Sequence, residues 1–339
     1  MSASEKDSVR DEKVEKHWSQ INESTSTLGI RFLLAVFRLG GRTLFHLTLW
    51  PVSLFFWAFS ARARRASSEY LAQMARFTSQ RPPRLGSLAH ILRFSDTILD
   101  KLLAVSGTFT PHDLRVEGGA EVLADPRGGV IVTAHTGCVE LCQEISETQR
   151  IDRGLHVLVH TQHAVRFNAI IRKINPRFAV HHIEVTTIGP ETAIELSEFI
   201  EKGDWIVIVA DRTPIGSQST ITIPFLGRPA PFAEGPFILA YLLSASVWSM
   251  ICTREVDPAS SARYRVVFEK IAEPARVPRS KRKAAIEAMA QRWVAALERA
   301  ISASPLDWFN FFDFWSPAKP AHPQPEGSGK ENKKISASS

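Results

Sequence analysis

A histidine followed five positions later by a glutamate, in the run His135-Thr136-Gly137-Cys138-Val139-Glu140, is the arrangement in this 339-residue chain best suited to moving a proton. Imidazole titrates near neutrality, and a neighbouring carboxylate can hold one ring nitrogen as N–H and leave the other as a base. Such a base needs something to deprotonate, and a hydroxyl attacking an activated acyl group is its natural partner. Residues five apart in a continuous helix stand about 140° apart around the axis. His135 is therefore expected in the turn that enters a helix, not within it. Thr136 and Gly137 would form that turn, and backbone amides at the start of the helix it enters could hold an anionic group or a developing oxyanion. The plainer alternative is a pair of polar residues capping a helix start. Asp211 and Arg212 follow the apolar run Trp205 to Ala210 and are read as a second polar pair at a strand end. There Asp211 is expected to contact substrate, the alternative being a strand-end cap or a partner for Arg212.

The elements that must position these residues alternate from Gly128 onward. Gly129 to Ala134, Leu155 to Val159, Ala179 to Val185 and Trp205 to Ala210 are short apolar runs that read as strands. Between and after them, Val139 to Arg150, Ala164 to Ile174, Glu191 to Lys202 and Phe237 to Ser244 read as helices. Strands at Val247 to Thr253 and Arg263 to Ile271 and a helix from Ser280 to Ile301 follow. Taking turns in this way requires crossover connections, so the predicted fold is α/β with a mostly parallel central sheet flanked by helices. Near-continuous apolar strands agree, because such sheets are covered on both faces. Ligands bind beyond the carboxyl ends of strands in such sheets, which is where His135 stands.

Upstream, nothing charged lies between Arg42 and Arg62, an interval about as long as one membrane helix and containing Trp50, Phe55, Phe56, Trp57 and Phe59. His46, Thr48, Pro51 and Ser53 moderate its hydrophobicity, and arginines stand on both sides. A spanning helix, a helix lying in the interface and a buried core helix are the three readings. Residues 66 to 107 read as two helices broken at Arg81-Pro82-Pro83-Arg84. The expected organisation is a polar lead over 1–27, a membrane-associated helical segment over 28–66, an α/β domain over 67–315, and a Pro-, Ser- and Lys-rich unfolded tail over 316–339.

Composition narrows the classes. With 44% hydrophobic residues the chain is not disordered throughout, and 41 Lys and Arg against 35 Asp and Glu leave +6, favouring anionic partners. Three cysteines, Cys138, Cys142 and Cys252, make no disulfide framework, and no fourth ligand completes a zinc spacing, so no metal is expected. His156, His160, His163, His181 and His182 match no ligand pattern and read as surface or sheet-edge residues. No Gly-rich phosphate loop or base-reading basic helix points to nucleic acid.

The His-x4-Glu run after an apolar strand resembles the first motif of the lysophospholipid acyltransferase superfamily, in its branch of late lipid A (lauroyl or myristoyl) acyltransferases. Val209-Ala210-Asp211-Arg212-Thr213-Pro214 resembles the strand-end segment of that branch, and Ile223 to Ala230, continuing to Gly235-Pro236, resembles its next block. Asp307-Trp308-Phe309-Asn310-Phe311 is similar to its aromatic ending, and the likeness runs over roughly residues 30 to 315. The resemblance implies transfer of a fatty acyl chain from an acyl thioester to a hydroxyl of a membrane lipid or glycolipid. His135 would be the general base and Glu140 its orienting partner. Thr136, Gly137, Arg166, Asp211, Arg212, Gly227 and Arg228 would contact substrate. It implies no cofactor, with acyl carrier protein, or else coenzyme A, as the carrier of the co-substrate, and a catalytic domain on the cytoplasmic face of a bacterial inner membrane. Where lipid A enzymes carry arginines after the second strand this chain has His160-Thr161-Gln162-His163, with Arg166 a little later, which argues against phosphate-rich lipid A itself as acceptor. The aromatic ending is closer to relatives associated with aryl polyene and other unusual lipids. The competing readings are a thioester or ester hydrolase on the same fold and a non-catalytic lipid-binding protein. Packing alone is the default for Trp308, Phe311 and Phe314.

Overall fold

The computed structural model describes residues 23–105, 108–139, 141, 153–159, 181–184, 190–212, 219–275 and 277–315. Helices α1 (Glu23–Phe59), α2 (Ala61–Thr78) and α3 (Gly86–Val105) lead into strand β1 (Leu114–Glu117) and the short helix α4 (Gly119–Ala124). Then come β2 (Gly129–Thr133), β3 (Leu155–Val159), β4 (His181–Glu184), α5 (Pro190–Glu201), β5 (Trp205–Val209), β6 (Thr220–Phe225), β7 (Arg228–Ala233), α6 (Gly235–Leu243), β8 (Ser246–Arg254), β9 (Tyr264–Ala272) and α7 (Arg282–Ala303).

Seven strands form one sheet in the order β1-β9-β8-β2-β5-β3-β4. Strands β8, β2, β5, β3 and β4 run parallel, β9 is antiparallel to β8, and β1 is parallel to β9. The expected α/β fold with a mostly parallel sheet is what the chain adopts. Because side chains alternate across a strand, each central strand feeds two cores. Val130, Val132, Ile206 and Ile251 join Tyr70, Leu71 and Met74 of α2 and Trp293, Val294 and Leu297 of α7 on one face. Ile131, Trp205, Val207, Trp248 and Met250 join Phe45 of α1 and Leu99 and Leu103 of α3 on the other. This two-sided burial is why the strands read as unbroken apolar runs.

A second, two-stranded sheet pairs β6 with β7 through Leu226 and Gly227, both at positive φ (52° and 78°), the twist a two-residue hairpin requires. Leucine is strained there, and its surroundings hold it. Its side chain is buried in the core, its carbonyl accepts from Gln73 Nε2 at 2.6 Å, and Glu298 accepts its N–H. This hairpin was not anticipated as structure; its sequence had suggested only a family block.

Helix α1 kinks at Gly40 and Gly41, where the backbone leaves helical values. Its second half docks on α3 through polar contacts: Ser53 to Ser95 at 3.0 Å, His46 to Asp96 at 2.8 Å, and Arg42 on Asp100. Trp57 Nε1 donates to Ser87 at 3.0 Å. The outward face carries exposed Leu47, Phe55 and Phe59. Among the described residues no single helix is long and apolar enough to cross a membrane, while residues 35–59 and α2 together pass that test with a 93° bend between them.

Candidate active site

Strands β2 and β5 are paired in parallel with Thr133 opposite Val209, and Ala210 N–H donates to Thr133 O at 3.0 Å. Continuing that register by two residues brings His135 opposite Asp211 beyond the carboxyl ends of both strands. The two side chains meet: His135 Nδ1 lies 2.7 Å from Asp211 Oδ1. The other carboxylate oxygen accepts from the His135 backbone N–H at 3.0 Å and from Trp308 Nε1 at 2.9 Å. Asp211 is only 2% exposed, whereas the imidazole remains 37% exposed.

Burial by itself would raise the Asp211 carboxyl, but the charge and hydrogen bond of His135 outweigh it and, with Arg212 nearby, hold the group below its ordinary range. An ionised Asp211 can only accept, so Nδ1 carries the proton and Nε2 is the basic nitrogen. A histidine so held can take a proton from a hydroxyl.

The loop bearing His135 is strapped to the chain segment that follows α7. Phe309 N–H donates to His135 O at 2.8 Å, Gly137 N–H donates to Asp307 O at 2.9 Å, and Thr136 bridges Trp308 in antiparallel fashion. Asp307, buried, is fixed in turn by the Arg254 N–H at 2.7 Å and by Arg93 at 3.1 Å. Gly137 has φ +43°, and a Cβ there would lie 2.5 Å from Cys252 O on β8.

These bonds correct part of the expected site. Thr136 N–H donates to Ala134 O at 2.8 Å and Gly137 N–H to Asp307 O, so neither amide is left for the substrate contact expected of these two residues, and the Thr136 side chain is buried. Asp211 turns to His135, with both oxygens engaged, and does not reach outward as a substrate contact. Arg212 donates to Phe309 O at 3.1 Å and lies over the Phe312 ring. Gly227 and Arg228 sit at the hairpin tip beside α2, where Arg228 meets Glu69 at 2.8 Å and covers Trp315. Glu140 and Arg166 lie outside the described residues, as do His160 and His163. His156, expected at an edge or surface, is buried on β3, bonded to Asp204 at 2.9 Å and stacked on Phe199.

The family model of bacterial lipid A biosynthesis acyltransferases matches residues 109–316. The chain belongs to this family of acyltransferases. No curated protein matches it. Membership implies an acyl donor and a lipid acceptor, and the match spans His135, Asp211 and the closing segment through Trp308. In this acyltransferase, Trp308 has more than the packing role assigned by default, because its indole N–H is spent on the carboxylate that holds His135. One signal in the sequence could have paired Asp211 with His135: it follows its strand as His135 follows β2, two polar residues at equivalent ends of parallel strands. Nothing comparable marks Trp308 among eight tryptophans.

Proposed function

We propose that this acyltransferase moves a fatty acyl chain from a thioester, carried on acyl carrier protein, to a hydroxyl of a membrane lipid or glycolipid. His135 acts as general base through Nε2. The observation that carries this reading is the His135–Asp211 contact of 2.7 Å beside a half-exposed imidazole, at the carboxyl ends of adjacent parallel strands. Nε2 takes the proton of the acceptor hydroxyl as its oxygen forms a bond to the thioester carbonyl carbon. The carbon–sulfur bond then breaks, and the thiolate leaves with the proton returned from the imidazolium. Asp211 keeps the ring in the required tautomer and stabilises the imidazolium that forms. Glu140, five residues after His135 in the sequence, is proposed as a second carboxylate serving His135.

The protein is proposed to work at the cytoplasmic face of a bacterial inner membrane. The exposed apolar face of α1 supports this, with Phe55 65% and Phe59 75% exposed and Arg62 and Arg65 following at once. The net charge of +6 suits both anionic lipid and an acidic carrier protein.

The test is purified protein in lipid vesicles with labelled acyl-carrier protein and a bacterial lipid extract, read by mass spectrometry. A lipid gaining the mass of one acyl chain, lost in a folded His135→Ala variant, is the expected result. Free fatty acid unaffected by added lipid would indicate a hydrolase instead, and full activity of the variant would remove His135 from the mechanism.

A further inference from the structure

Asp211 has two carboxylate oxygens and three donors upon them. Oδ1 accepts from His135 Nδ1, while Oδ2 is shared by the His135 backbone N–H and Trp308 Nε1. The indole is the donor that comes from outside the paired strands, reaching the carboxylate from the far end of the chain. It is itself held on every side: no part of it is exposed, and Tyr70, Phe225 and Phe314 all meet it edge-on with centroids 4.9 to 5.1 Å away. Its own carbonyl accepts from His90 Nε2 at 2.9 Å. A ring gripped in this way presents its N–H at one place and to one acceptor.

We propose that Trp308 is a positioning residue for the base, acting on His135 through Asp211; this rests on the reading of His135 as the general base. The indole N–H does two things to the carboxylate. It blocks rotation about the Cβ–Cγ bond, which would otherwise swing Oδ1 away from Nδ1. It also draws negative charge toward Oδ2, tempering the pull of Asp211 on an imidazolium. Without it, the carboxylate leaves Nδ1 in part of the molecules, which lowers kcat; where the pair persists, the uncompensated carboxylate stabilises the protonated ring better, so the base is lost to protonation at higher pH.

The other ionisable groups near the indole do not confuse that readout. Arg212 follows Asp211 in the chain, and Asp307 precedes Trp308 with Arg93 and Arg254 upon it. On α3, His90 is pushed by burial down to about 4, and on α2 burial pushes the Tyr70 hydroxyl well above its usual range, so neither changes charge between pH 5 and 9.

The decisive variant places at position 308 the tryptophan isostere in which sulfur replaces the indole N–H, keeping the ring's shape; Trp308→Phe and Phe314→Leu accompany it. The isostere and Trp308→Phe are expected to lose about tenfold or more in kcat and to move the acid limb of the pH–rate profile upward by about half a unit. Phe314→Leu, which loosens the same aromatic cluster but touches no oxygen of Asp211, is expected to leave that limb in place. A wild-type rate and profile in the isostere would overturn the proposal, as would an equal shift in Phe314→Leu. Should His135→Ala remain active, the base itself is misassigned; an inactive His135→Ala with an unshifted isostere refutes Trp308 alone.

Discussion

His135 and Asp211 are 76 residues apart in the chain, yet Nδ1 of one lies 2.7 Å from Oδ1 of the other. Adjacent parallel strands in matched register deliver them to the same edge of the sheet. Replacing Asp211 by Asn puts an amide where one oxygen accepts from Nδ1 and the other accepts two N–H groups. One orientation sets the amide NH2 against the other two donors, and the reverse makes Nδ1 the acceptor and moves the ring proton to Nε2, where the base is needed. Acyl transfer by Asp211→Asn should fall by roughly a hundredfold or more. Measured beside Glu140→Gln under identical conditions, it shows which carboxylate the imidazole depends on.

Gly137 sits where the His135 loop passes over β8. Its φ of +43° disfavours any side chain, and a Cβ would stand 2.5 Å from Cys252 O, an atom of the backbone that cannot turn aside. Gly137→Ala should cost roughly 3 kcal/mol by denaturant unfolding, with activity lost alongside. Unchanged stability would mean that the loop can move off the strand.

His90 ties α3 to the closing segment, bonded to Ser67 at 2.8 Å and to Trp308 O. Burial lowers its pKa from 6.5 to about 4, so the folded protein refuses a proton that the unfolded chain accepts. Its neutral form contributes stability fully above pH 6.5, and that contribution fades as pH falls toward 4, by roughly 3 kcal/mol in all. Unfolding free energies at pH 7.5 and pH 5 should differ by about 2 kcal/mol from this group, after other acids are accounted for by comparison with His90→Gln. That variant keeps a donor for Trp308 O but cannot titrate, and its pH dependence should be visibly flatter.

The outward face of α1 offers a membrane test independent of catalysis. Phe55 and Phe59 meet with ring centroids 4.4 Å apart, tilted 40° to one another, and are largely exposed, without supporting the inner core. Paired Phe55→Glu and Phe59→Glu changes should leave folding by circular dichroism intact while shifting the protein from floating vesicles of anionic phospholipid into the aqueous fraction, by about tenfold or more. Continued flotation would assign membrane contact elsewhere.

How much of this could be read in advance varies by element. The runs at 129–133 and 205–209 declare themselves as strands because both faces of the sheet are covered, and burial on both sides demands near-continuous apolar residues. Boundaries of the helices over 190–201 and 282–303 fall within two residues of expectation, since their apolar faces repeat with helical period. The β6–β7 hairpin escaped notice: its turn is Leu226-Gly227, without the Asn-Gly or Asp-Gly signal, and tertiary anchors hold the leucine in a conformation it would not choose alone.

Local composition and periodicity thus determine the fold class and place His135 at a strand end, because a strand's burial and a helix's apolar stripe are properties of neighbouring residues. Which carboxylate meets the imidazole is decided only when β5 enters the sheet beside β2, and which N–H steadies that carboxylate only when residues 307–309 return across the loop. Those are contacts between segments distant in the chain. Their formation depends on strand order and on the shape of the shared core, quantities that no local pattern encodes.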